Sequence, residues 1–160
     1  MNEKTFTINP QEARQIYAGA SDKVKSLLEK KAGKDFFSSK VTDRIKTYED
    51  ACVELGEKPI NEDELLQAGF TKDEITYRKL KTITKALNEG REFDIYDSDV
   101  RRWYPWFECN DSPSGFAFYD SNCGRSTADA GSGSRLCYKS EELANYSGKQ
   151  FLDLWREFIQ

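Results

Sequence analysis

The chain contains no histidine. That absence removes the commonest general base, the Ser-His-Asp and Cys-His arrangements, and the imidazole metal ligand. Also missing is any apolar run near the roughly 20 residues that cross a bilayer, so no membrane partner is expected. A surplus of positive charge is lacking too. Residues 1–90 carry 16 basic and 16 acidic side chains, and residues 91–160 carry 8 and 12, so the net charge of −4 lies wholly in the C-terminal part. Neither part has the positive excess that counterion-release binding to nucleic acid needs. Met1-Asn2-Glu3-Lys4-Thr5 shows neither the basic nor the apolar region of a signal peptide, and a cytoplasmic location is expected.

Cysteine is sparse and poorly spaced for metal. Cys109, Cys123 and Cys137 stand at equal intervals, whereas zinc sites take ligands in closely spaced pairs. In an antiparallel meander Cys109 and Cys123 fall at opposite ends of the sheet. Cys109 and Cys137 fall two strands, about 9–10 Å, apart, too far for a disulfide. With Cys52 they are read as thiols, most of them packed as small hydrophobes. No metal or cofactor is expected.

What is present is ample core material: ten Phe, eight Tyr and three Trp in 160 residues. Residues 1–90 read as a helical region. Asn9-Pro10-Gln11-Glu12 gives a cap, a proline at the first helical position and a glutamate at the third. Ser21 caps a second helix carrying Val24, Leu27 and Leu28 on one face and stopped near Gly33. Thr47 and Asp50 open a third, with Ala51, Cys52 and Leu55 as its buried stripe. Asn61 starts a short acidic turn of helix. Thr71-Lys72-Asp73-Glu74 is a capping box that launches Ile75, Leu80, Ile83 and Leu87 at helical spacing, stopped by Asn88-Glu89-Gly90.

Residues 91–160 change character. Residues 103–107 and 116–119 are aromatic and closely spaced, as strands prefer, with Phe116 and Phe118 alternating against Ala117 and Tyr119. Pro105 cannot donate to a ladder, so the first strand is an edge strand or is broken there. Residues 135–139 read as a third strand with Leu136 and Tyr138 on one face, reached through a mobile loop over residues 124–134. Ser140 caps a final helix bearing Leu143, Phe151, Leu154, Trp155 and Phe158. The expected fold is α+β: an N-terminal helical part, then a three-stranded antiparallel sheet packed by a C-terminal helix. The division near residue 90 marks two regions, or two layers of one compact domain.

Several segments carry a resemblance. Phe36-Phe37-Ser38, Asp43-Arg44-Ile45-Lys46-Thr47-Tyr48-Glu49-Asp50-Ala51-Cys52 and Lys85-Ala86-Leu87-Asn88-Glu89-Gly90 form one set. Tyr104-Pro105-Trp106-Phe107, Ser134-Arg135-Leu136-Cys137 and Gly148-Lys149-Gln150-Phe151 form the other. Together they make the chain, from about Asn9 onward, resemble a group of small uncharacterised proteins of Bacteroidetes genomes and their phages or prophages. The resemblance implies a phage or mobile-element context. It transfers no catalytic residue.

Three constellations remain. Gly131-Ser132-Gly133-Ser134-Arg135 lacks the phosphate-loop pattern and leads into a strand, so it reads as a hairpin loop. Asp94, Asp97, Asp99 and Asp120 offer carboxylates for a histidine-free enzyme, although Asp97-Ser98-Asp99 is also ordinary turn chemistry. Arg101-Arg102-Trp103-Tyr104-Pro105-Trp106-Phe107 interleaves cations with aromatics. Such a segment serves as a single-strand binding surface, as a protein-binding edge, or as an edge strand with its rings in the core and its arginines in water. The candidate binding residues are Arg101, Arg102, Trp103, Tyr104, Trp106 and Arg135. The function expected first is a non-enzymatic interaction or structural protein that binds a protein partner or itself. The alternative is a nucleic-acid-associated protein using the Arg/aromatic segment.

Overall fold

The computed structural model describes residues 7–94, 96–109, 115–125 and 134–160. Most of the expected helix starts and stops form. Asn9 Oδ1 accepts from the Glu12 amide at 2.8 Å and the Glu12 carboxylate answers at the Asn9 amide, opening α1 (Pro10–Gly19). After Ser21 comes α2 (Asp22–Ala32), closed by Gly33 at φ 84°. Neither helix buries a residue, and Val24 and Leu27 stand in solvent. A 3-10 turn (Asp35–Phe37) and the short α3 (Val41–Arg44) follow. The Thr47/Asp50 box opens α4 (Tyr48–Leu55), and Asn61 caps α5 (Glu62–Gln67).

The central element is α6 (Lys72–Leu87), launched by the Thr71/Glu74 box. Its apolar stripe is fully realised: Ile75, Leu80, Ile83 and Leu87 are buried, each contributing roughly 1.5–3 kcal/mol of apolar burial. The helix stops where Glu89 and Gly90 turn to φ 54° and 75°. Glu89 tolerates this left-handed backbone while its carboxylate bonds Arg44 and Lys139.

The sheet is smaller than expected. It has two antiparallel strands, β1 (Arg102–Cys109) and β2 (Phe116–Gly124), not three. Residues 135–139 contribute a 3-10 turn (Ser134–Leu136) and one bridge, in which Trp103 and Tyr138 exchange both backbone hydrogen bonds at 3.0 and 2.7 Å. The reason lies in strand parity. Since the Trp103 N–H and C=O point to Tyr138, the next β1 residue aimed that way is Pro105, which has no N–H to give. In the other direction Ser140 already caps the next helix. The ladder therefore ends after one rung. Of the expected 124–134 loop, residues 126–133 lie outside the described residues.

The C-terminal helix is interrupted. α7 (Glu141–Gln150) and α8 (Leu152–Ile159) meet at Phe151, whose backbone sits at φ −112°, ψ 31°. α7 lies against the hairpin so closely at Gly148 that an added Cβ would stand 2.2 Å from the Phe118 ring and 2.9 Å from Pro105 Cβ. α8 returns to pack on α6, with Trp155 buried and the Phe107 ring tilted against it, centroids 5.5 Å apart. One apolar cluster joins Val41, Ile45, Tyr48 and Cys52 to Leu80, Ile83 and Leu87, and these to Phe116, Tyr138, Leu143 and Trp155. It therefore draws on residues from both sides of position 90.

Candidate functional site

The six candidate residues do not form one surface. β1 and β2 pair with Trp103 opposite Cys123, Tyr104 opposite Asn122, Pro105 opposite Ser121 and Trp106 opposite Asp120. A register shift then leaves Tyr119 as an extra residue before Phe107 meets Phe118. Alternation turns Trp103, Pro105, Phe107 and Phe118 toward α7 and α8. It turns Tyr104 and Trp106 outward, where they are 36% and 51% exposed beside Tyr119 at 64%. Asp120 belongs to this outer face, and half-buried Glu108 stands near its end. Among the described residues, no backbone group outside the hairpin bonds to the outer edge of β2.

Arg102 departs from both expectations for the arginines. It is neither in water nor on a binding face but 1% exposed. Its guanidinium donates to the carbonyls of Asp94 at 2.5 Å, Val100 at 3.2 Å and Asp97 at 3.3 Å, with Arg125 at 3.5 Å. Four carbonyl oxygens replace a carboxylate, and the side chain fastens the segment before β1 to the end of β2. Arg101, next to it, is exposed.

The acids of that segment are turn-makers. Asp94 Oδ1 accepts from the Tyr96 amide at 2.9 Å and Asp97 Oδ1 from the Asp99 amide at 3.0 Å, which is Asx-turn geometry. Asp120 lies away from them on the hairpin. Cys109 and Cys123 stand at opposite ends of the hairpin. The Cys137 thiol is buried and pushed up to about 11 by that burial, against a downward pull from Arg102.

Two clefts flank the C-terminal end of α6. The first, about 670 Å3, opens between α1 and the body and is lined by Arg14, Arg44, Glu54, Lys85 and Glu89 among others. Its charges are spent internally. Arg14 forks onto Glu54 at 2.7 and 3.1 Å, Arg44 forks onto the same carboxylate at 3.2 Å, and Lys85 reaches Glu57 at 3.0 Å. The hydrogen bond from Lys139, with help from Arg44, holds the Glu89 carboxyl below its ordinary range. These pairs tie α1, which buries nothing, to α4.

The second cleft, about 480 Å3, lies beyond the last turn of α6, and Arg135 is on its rim with Lys81, Lys85 and Arg91. Asn88 forms part of its wall. The Asn88 side chain donates to the Cys137 carbonyl at 2.8 Å and accepts from the Lys139 amide at 2.9 Å. It thus occupies the side of residues 137–139 that faces away from β1, as a neighbouring strand would. In the sequence Asn88 is legible as a helix stop, and no motif marks Lys81, Arg91 and Phe93. Tyr119 was in reach, since the alternation over residues 116–119 already marks it as facing opposite to Phe118.

No helix among the described residues is long and apolar enough to cross a membrane. Comparisons with protein-family models, with curated proteins and with solved structures return no match for this chain. Fold and surface together define an α+β protein carrying a β-hairpin with an aromatic outer face.

Proposed function

We propose that the chain is a non-enzymatic interaction protein of phage or mobile-element origin, and that a protein partner docks on the outer face of the β1–β2 hairpin. The observation that carries this reading is Trp106, half exposed on a strand in a row with Tyr104 and Tyr119. Large aromatics on a rigid, solvent-facing element are the usual anchors of protein interfaces. The outer edge of β2 offers backbone groups to an extended segment. Asp120 beside Trp106, and the acidic surplus of residues 91–160, favour a partner segment bearing basic side chains. The segments that resemble the Bacteroidetes and phage proteins support the mobile-element context.

The nucleic-acid reading of the same segment is less well supported. Burial of Arg102 leaves Arg101 as the segment's exposed cation, and Asp120 on the outer face would repel phosphate. Capture of partners from the cell of origin tests the proposal, with wild type and a Trp106→Ala, Tyr119→Ala variant run in parallel. Both side chains are solvent-facing, so the variant keeps its fold. A partner retained by wild type and lost by the variant is expected. Identical capture by both, or none by either, contradicts the reading.

A further inference from the structure

The cleft beyond α6 concentrates positive charge in a chain whose net charge is −4. Lys81, Lys85, Arg91 and Arg135 line it against one acid, Glu92. Lys85 sits in the last turn of α6, where the helix dipole favours cations, and pairs with Glu57, while Lys81 stands over the Tyr77 ring at 5.7 Å. Those two need no ligand to account for them. Arg91 and Arg135 lie outside the helix, are exposed, and have no carboxylate partner among the described residues. Each therefore keeps a planar set of donors available. Half-buried Phe93 lines the same cleft, with the Arg91 guanidinium 5.8 Å from its ring centroid. The volume is within the range of small-ligand sites.

We propose that this cleft binds a nucleoside phosphate, free or as one unit of a single strand. Arg91, Arg135 and Lys81 hold the phosphate oxygens, and Phe93 supplies a face for the base. The proposal shares no residue with the hairpin surface, so either can fail alone.

Isothermal titration at low salt with adenosine 5′-monophosphate, tripolyphosphate and a deoxythymidine oligomer of about twelve units tests it. Wild type is expected to bind all three. Arg91→Gln with Arg135→Gln, two exposed positions, weakens every probe by about tenfold or more. Phe93→Ala weakens the monophosphate and the oligomer by about tenfold but leaves tripolyphosphate unchanged, and Phe93→Tyr restores them. Tighter binding of the oligomer than of the monophosphate assigns a single strand, and equal affinity assigns a free nucleotide. Failure of wild type to bind the nucleotide probes, or binding that the double arginine variant leaves intact, overturns the proposal. So does a Phe93→Ala variant that behaves as wild type, which would reduce the cleft to an unspecific polyanion surface.

Discussion

The hydroxyl of Tyr138 lies 2.6 Å from Oγ of Ser147 in the buried centre of the molecule. Thr84 Oγ1 is 3.0 Å from the same phenol, and Trp155 donates its indole N–H to Ser147 at 3.1 Å. Four side chains thus join α6, the single-rung segment, α7 and α8 through polar atoms that all find partners. A satisfied buried network of this kind specifies one arrangement of the elements that meet there.

Tyr138→Phe leaves Thr84 and Ser147 short of a partner and is expected to cost about 2 kcal/mol, read as a lower urea midpoint with unchanged slope. Burial also lifts the Tyr138 phenol from 10.0 to about 12. The folded state therefore keeps a proton that the unfolded chain gives up, and the contribution is complete below pH 10 and lost as pH rises toward 12. That rise corresponds to roughly 3 kcal/mol. The fall of stability across this window is expected to be shallower in Tyr138→Phe than in wild type. Equal slopes would contradict the assignment.

Asn88 holds residues 137–139 from the side opposite β1. Asn88→Ala takes one hydrogen bond from the Cys137 carbonyl and the side-chain acceptor from the Lys139 amide, and a loss of about 1–3 kcal/mol is expected. Amide hydrogen exchange at Lys139 is expected to accelerate more than exchange in the middle of α6.

Arg102→Met keeps much of the buried stem and removes the donors that collect the carbonyls of Asp94, Asp97 and Val100. The expected result is a loss of about 2 kcal/mol with faster exchange over residues 96–100. Were Arg102 part of a binding face, the same change would weaken ligand binding and leave that exchange untouched.

Gly148→Ala places a methyl 2.2 Å from the edge of the Phe118 ring. Displacing the hairpin from α7 is expected to cost about 1–3 kcal/mol, measured by thermal denaturation. Gly19 provides the control, since a Cβ there meets nothing within 4 Å.

Much of this architecture is written in local chemistry. The boxes at Asn9, Thr47 and Thr71 and the stops at Gly33 and Gly90 act within a few residues of themselves, so they are readable from the chain. The stripe of α6 and the outward turn of Tyr119 follow from periodicity. Other features depend on distant partners. Residues 135–139 have the alternation of a strand, and only the parity set by Trp103 and Tyr138 shows that Pro105 stands where the next rung would form. Arg102 looks like its exposed neighbour Arg101 until the carbonyls of Asp94, Asp97 and Val100 gather at its guanidinium. The stripe of α2 reads as one apolar face, yet Val24 and Leu27 on it stand exposed. The basic cleft joins residues 81–93 to Arg135, a contact that no spacing announces.

The most direct measurement on the hairpin reading is amide hydrogen exchange of the full chain, alone and with a captured partner. Protection is expected over residues 104–107 and 116–123, strongest at β2 amides that face away from β1. Protection confined to α1 and α2, with the hairpin unchanged, would contradict it.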